Sequence, residues 1–168
     1  MLGRRKRHRG PDQPVDANPY PALRDVALRA VENGLQAPSA DHPGVSGVVV
    51  DIPSSDAFAT VVGLTDSTTS MYTSTGGGTI GAGEHAEVAA ATHALLTTLQ
   101  RHLADFTDAD DGSLPPEGAV RFHLLTPTGS RRLDVPEASF WGREPHDLGA
   151  VIGATQEVIS AMRRVSPQ

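Results

Sequence analysis

The chain has 168 residues, 38% of them hydrophobic and only 4% aromatic, and no cysteine. That length suits one domain with a self-sufficient core, and the missing cysteine excludes disulfides, thiolate zinc sites and cysteine nucleophiles. The net charge of −6 conceals a split: five of the 14 basic residues lie in the first ten positions with no acid among them, so the rest sets nine basic against 20 acidic residues, a net of −11.

Arg4, Arg5, Lys6, Arg7 and Arg9 are followed by Gly10, Pro11 and Asp12 instead of an apolar stretch, so this start does not read as a secretory signal. No run approaches the roughly 18 apolar residues of a membrane span, and a cytoplasmic protein is expected. Residues 1–19, with Pro11, Pro14 and Pro19 among polar groups, lack the apolar surface to offset their ordering entropy, so a disordered basic tail is expected there. Residues 20–168 read as a single domain. The tail carries no interleaved aromatics and precedes an acidic body, so contact with nucleic acid or membrane through it is not expected.

Pro21 suits the first turn of a helix, and Leu23, Val26, Ala27, Ala30 and Val31 recur at helical spacing until Gly34. Residues 35–46 read as loop. Gly47–Ile52 predicts a buried strand and Phe58–Leu64 a second. A turn over Thr65–Thr68 leads to a polar, half-exposed third strand, Thr69–Thr75. A glycine-rich loop, Gly76–Gly83, precedes a long helix over about Glu84–Phe106, whose buried stripe is Val88, Thr92, Leu95, Leu99, His102 or Leu103, and Phe106.

An acidic loop over 107–118 follows. Val120–Thr126 alternates, with Val120, Phe122 and Leu124 on one face and Arg121, His123 and Leu125 on the other. Pro127-Thr128-Gly129 turns into Arg131–Val135. A loop through Trp141 leads to a last helix near Asp147–Val165 with Leu148, Val151, Ile152, Thr155, Ile159 and Met162 inward. The order α-βββ-α-ββ-α predicts an α+β fold, an antiparallel sheet of about five strands with three helices. That element order resembles the roadblock and profilin-like group of small regulatory domains. The run from Ser74 to His85, Ser-Thr-Gly-Gly-Gly-Thr-Ile-Gly-Ala-Gly-Glu-His, resembles a segment of small bacterial proteins of no assigned activity, and the likeness spans residues 47–105 at most.

Five glycines in eight residues directly before a helix are the most unusual feature. Glycine lets backbone N–H groups converge on an anion, and a helix start adds partial positive charge. Thr75, Gly76, Gly77, Gly78, Thr79, Gly81, Gly83, Glu84, His85 and Glu87 therefore form the candidate ligand-binding set, for a small anionic ligand or nucleotide. Gly76-x-Gly78-x-x-Gly81 fits the dinucleotide pattern, but the preceding strand is Ser/Thr-rich and belongs to hairpins, and Glu84 would repel a phosphate. A P-loop is excluded, since Lys6 is the only lysine. The opposing reading is a sharp strand-to-helix turn with close backbone packing.

His85-Ala86-Glu87 at a helix start resembles the zinc-dependent nucleoside and base deaminases. That resemblance would make His85 a zinc ligand and Glu87 the proton shuttle. The family's two cysteine ligands have no counterpart here, so it points at most to a degenerate relative of that fold. His85, His93 and His102 are spaced too unevenly to hold a metal together. The acids from Asp105 to Asp111 miss the calcium-loop pattern, with Thr107 and Ala109 at carboxylate positions. No catalytic residue, metal site or cofactor is assigned. The leading expectation is a non-enzymatic regulatory or protein-interaction domain that forms a homodimer. The alternative is a small-ligand-binding or hydrolytic protein with its site on residues 75–87.

Overall fold

The computed structural model describes residues 18–109 and 111–166. The expected tail falls, up to Ala17, outside the described residues; Asn18 and Pro19 belong to the folded part. Seven strands form one antiparallel sheet: β1 (Gly47–Ser54), β2 (Ala57–Leu64), β3 (Thr69–Thr73), β4 (Gly78–Thr79), β5 (Thr107–Asp108), β6 (Ala119–Thr126) and β7 (Gly129–Pro136), in the order β4-β3-β2-β1-β6-β7-β5. Four helices accompany it: α1 (Tyr20–Leu28), α2 (Ala86–Arg101), α3 (Glu137–Phe140) and α4 (Gly149–Val165).

The fold is α+β and antiparallel as expected, with seven strands in place of about five and four helices in place of three. The additional strands are two residues each, too short for a periodic pattern, and exist only because β3 and β7 offer them an edge. The additional helix is a single turn running on from β7. The glycine-rich segment is not wholly loop, since it contains β4 and a 3-10 turn at Ala82–Glu84. The long helix ends at Arg101, and a 3-10 turn at Leu103–Asp105 carries the chain to Phe106.

Alternation along the strands builds two faces. Val48, Val50, Ile52, Val61, Phe122 and Leu124 point to one face and form the main core under α2 and α4. The inward stripes of those helices are the expected ones: Val88, Thr92, Leu95 and Leu99 on α2, and Val151, Ile152, Thr155, Ile159 and Met162 on α4, are buried. Val49, Val62, Leu64, Tyr72 and Leu125 point to the opposite face and form a second core under α1. β3 is less exposed than its hydroxyls suggest. Thr69, Ser70 and Tyr72 are buried, and the Thr69 and Thr92 hydroxyls bond each other at 2.7 Å across the β3–α2 contact.

The two faces are covered unequally. Six inter-strand spacings of about 4.8 Å make the sheet about 29 Å wide. α2 and α4, with 16 and 17 residues, are about 24–26 Å long each and lie side by side on one face. α1 has nine residues, which gives about 13 Å of length and about 10 Å of width. One short helix therefore leaves sheet uncovered on both of its sides.

Candidate functional site

α1 is seated by a polar row that crosses the sheet at one level of the register. Tyr72 pairs with Thr60, Thr60 with Asp51, Asp51 with Arg121 and Arg121 with Asp134, all pointing to the α1 face. Asp51 is fully buried and accepts four hydrogen bonds. Arg24 Nε (3.0 Å) and Thr60 Oγ1 (2.7 Å) donate to its Oδ1, while Arg24 Nη2 (2.6 Å) and His123 Nε2 (3.1 Å) donate to its Oδ2. His123 Nε2 faces both Asp51 Oδ2, at 3.1 Å, and the donor-only Arg24 Nη2, at 3.4 Å, and donation along the shorter contact to the carboxylate places its proton on Nε2. Thr60 commits its one proton to Asp51, so the Tyr20 phenol donates to Thr60 Oγ1, at 3.0 Å. The Tyr72 hydroxyl donates to Leu23 O, at 3.1 Å.

Burial alone would raise the Asp51 carboxyl, but the hydrogen bonds from His123 and Arg24 outweigh it and hold the group below its usual range. An aspartate with every lone pair engaged beneath a helix is an anchor, and it has no capacity left to take a proton from a substrate. Arg121 is held in the same way by Asp134 (2.7 and 2.8 Å) and by Ser113 and Leu114, which draws the segment after residue 111 over the far end of this face.

On the β3 side of α1 the uncovered strip is a groove. Near the N-terminus of α1, a hollow of about 130 Å³ lies between Pro19, Tyr20, Tyr72 and the backbone of Gly76, Gly77 and Gly78. A second hollow, of about 150 Å³, is floored by Ala27, Ala30, Val62 and Leu64. Leu23, Tyr72 and Ile80 line both, so the two adjoin along the helix across these side chains. Three large apolar side chains stand exposed on the second: Val26 at 52%, Leu35 at 59% and Ile80 at 67%. None of the described residues lining either hollow is charged at neutral pH. Its two phenols stay protonated, because burial raises both Tyr20 and Tyr72 and pushes Tyr72 far above its usual value.

The candidate set over residues 75–87 is divided by the structure. Gly76, Gly77 and Gly78 lie in the groove wall, and Thr75 is exposed beside them, its hydroxyl bonded to that of Thr73. Thr79 faces Ser166 at the end of α4. Gly81 adopts φ +76° ahead of the 3-10 turn. Glu84 and His85 are exposed at the entry to α2, and Glu87 pairs with Arg164 of α4 at 2.9 Å. The glycines answer to packing: a Cβ on Gly78 would sit 2.5 Å from Met71 O and 2.7 Å from Tyr72 Cα, and one on Gly83 would overlap Ser67 O.

The histidines and acids find ordinary partners. His93 packs edge-on against buried His42 at 4.6 Å, and His102 pairs with Asp105 at 2.8 Å. Asp108 and Asp111 pair with Arg131 and Arg132, each at 3.1 Å, while Asp110 lies outside the described residues. Among the described residues no group of three His, Asp or Glu side chains is placed to hold a metal ion, and no helix is long and apolar enough to cross a membrane. A broad polar cleft of about 730 Å³ on the other side of α1 is walled by Glu32, Asp108, Ser130 and Arg131.

The groove and the anchor were not anticipated from the sequence. The helix expected to run to Gly34 ends at Leu28, and Val26, read with its apolar stripe, is exposed; the remaining signals were Leu35 directly after Gly34 and Ile80 alone among glycines. No family model matches the chain, and no curated protein or solved structure matches it.

Proposed function

We propose that this protein is a non-enzymatic, cytoplasmic interaction domain that docks an apolar segment of protein in the groove between α1 and β3. The observation that carries this reading is the uncharged groove itself, with Val26, Leu35 and Ile80 exposed beside it. Contiguous exposed apolar surface of this kind marks a site of association, since leaving it in water is unfavourable. The groove wall supplies backbone from the glycine loop and a row of aliphatic side chains, which suits shape-based docking. The element order, which resembles roadblock and profilin-like regulatory domains, agrees with such a role.

The test uses an apolar fluorescent probe, anilinonaphthalene sulfonate, with the full chain at submicromolar concentration. Enhanced emission from the folded protein, reduced several-fold by Ile80→Asp and by Leu35→Asp, is the expected result. Both positions are exposed, so these variants are expected to melt as the parent does. Absence of enhancement with a cooperatively folded parent would defeat the reading.

A further inference from the structure

We infer that the flank of α1 opposite the apolar groove is a second binding site, which takes a small organic cation, an alkylammonium or alkylguanidinium ion, between His123 and Glu32. The site shares no residue with the groove, so it stands apart from the docking reading.

The hollow lies where the end of α1 passes β6 and β7. It holds about 220 Å³ and is lined by Asp25 on α1, Arg29 and Glu32 just after it, Asp111, His123 on β6 and Ser130 on β7. Glu32 and Ser130 also line the broad polar cleft, so the two adjoin.

His123 is the residue that points to a ligand. Its side chain is 1% exposed. Its ring contacts, to Asp51 and Arg24, both run through Nε2, and Nδ1 has no hydrogen-bond partner among the described residues. Ser46 Oγ is the one fully enclosed side-chain polar atom among them that lacks a partner. His123 Nδ1 is therefore not sealed in protein, and it opens on the hollow that the ring lines. The register agrees. Asp51 holds Nε2 from β1, while on the other side His123 stands opposite Arg132, with Ser130 two residues along β7 on the same face. With the Nε2 proton donated to a carboxylate, Nδ1 presents a lone pair whose direction Asp51 fixes.

The groups left free around the hollow define the ligand. Asp25 is offset by Arg29 at 3.0 Å and Asp111 by Arg132 at 3.1 Å. Glu32 is exposed and has no ion pair among the described residues, and the Ser130 hydroxyl has no hydrogen bond among them. A carboxylate, a ring nitrogen lone pair and a hydroxyl remain, all able to accept, with one negative charge. They suit a cation rich in N–H donors. An anion would meet Glu32 and find Arg29, Arg131 and Arg132 already paired. A metal ion is the other ligand that a carboxylate-braced histidine takes, but no group of three His, Asp or Glu side chains among the described residues is placed to hold one. An alkylammonium or alkylguanidinium needs no such cage. It donates to Nδ1, sets its charge toward Glu32 and lays its aliphatic stem against Leu28, which also lines the hollow.

The experiment is a titration of the full chain with n-butylammonium and n-butylguanidinium chloride, read by NMR on the imidazole nitrogens at pH about 8, above the ordinary histidine value. Before addition, His123 should show a protonated Nε2 and a bare Nδ1. Each cation should shift Nδ1 saturably and leave exposed His85 unmoved. n-Butanol and inorganic phosphate should have no effect. Glu32→Gln should weaken binding about two- to fivefold, the range of a solvent-exposed ion pair, and Glu32→Lys should abolish it. The position is exposed, so both variants are expected to melt as the parent does. A protonated Nδ1 in the free protein, no response to either cation, an equal response to butanol or phosphate, or a response indifferent to Glu32→Lys would each overturn the inference. The apolar probe reads the groove separately, so failure of one site is distinguishable from failure of the other.

Discussion

His42 is a buried histidine whose protonation is linked to folding. It is 2% exposed, where the loop before β1 meets α2. Its Nδ1 lies 3.2 Å from Ser39 Oγ and its Nε2 3.0 Å from Thr97 Oγ1, while His93 stacks edge-on against it. Burial, reinforced by His93 and only partly opposed by Asp41, lowers its pKa below the ordinary histidine value. The unfolded chain takes up a proton near pH 6.5 while the folded chain resists it. The contribution of His42 is therefore fully present above about pH 6.5 and is lost as the pH falls through the lower folded value. The urea midpoint should drop between about pH 7.5 and about pH 5.5, and His42→Gln should flatten that drop. An equal drop in the variant would show that other groups carry the acid sensitivity.

At the scale of elements, the glycine-rich segment shows how one composition can serve packing where it suggests binding. Gly78 and Gly83 are needed because backbone passes where a Cβ would be, at β3 and at the turn before it. Gly77 has only the Thr73 hydroxyl near its missing Cβ, at 3.5 Å. Gly83→Ala and Gly78→Val are therefore expected to destabilise the whole domain by several kcal/mol through overpacking, at or above the roughly 1–3 kcal/mol usual for such changes. Gly77→Ala should lie within about 1 kcal/mol of the parent. Thermal unfolding of the three variants checks this, and equal effects at positions 77 and 83 would count against the packing account. The longer elements were legible because their patterns are strong: the inward residues of α2 and α4, the apolar run of β1 and the alternation of β6 follow from spacing alone. β4, β5 and the single turn of α3 were not, because two to four residues carry no period.

For the molecule as a whole, the consequential asymmetry is between the two faces of one sheet. α2 and α4 cover theirs with long apolar stripes, whereas α1 covers the other with nine residues and an ionic anchor at Asp51. α1 should therefore open more readily than the sheet beneath it. Amide hydrogen exchange is expected to be slowest in β1 and β6 and distinctly faster in α1. Asp51→Asn removes the carboxylate from a buried pair and leaves the Arg24 charge uncompensated, which should cost about 3–5 kcal/mol. The loss should appear first as faster exchange in α1. Equal protection of α1 and β1 in the parent would argue that α1 is an integral layer and not a separately anchored one.

Arg121, His123 and Leu125 mark where reading from sequence ended and tertiary structure began. Their alternation with Val120, Phe122 and Leu124 was plain, and a polar alternate face ordinarily looks to solvent. All three are buried here, because α1 and the segment after residue 111 fold over them and supply Arg24 and the Ser113 and Leu114 carbonyls as partners. Composition excluded cysteine chemistry, and local spacing determined the longer strands, the long helices and the main core, since each depends on neighbours a few residues away. Which face α1 would take, how much of that face it would leave bare, and that Asp51 would meet Arg24 and His123 from 27 and 72 positions away depended on the strand order. Strand order brings together groups whose separation in the chain carries no local signal, and the groove beside α1 exists only because of it.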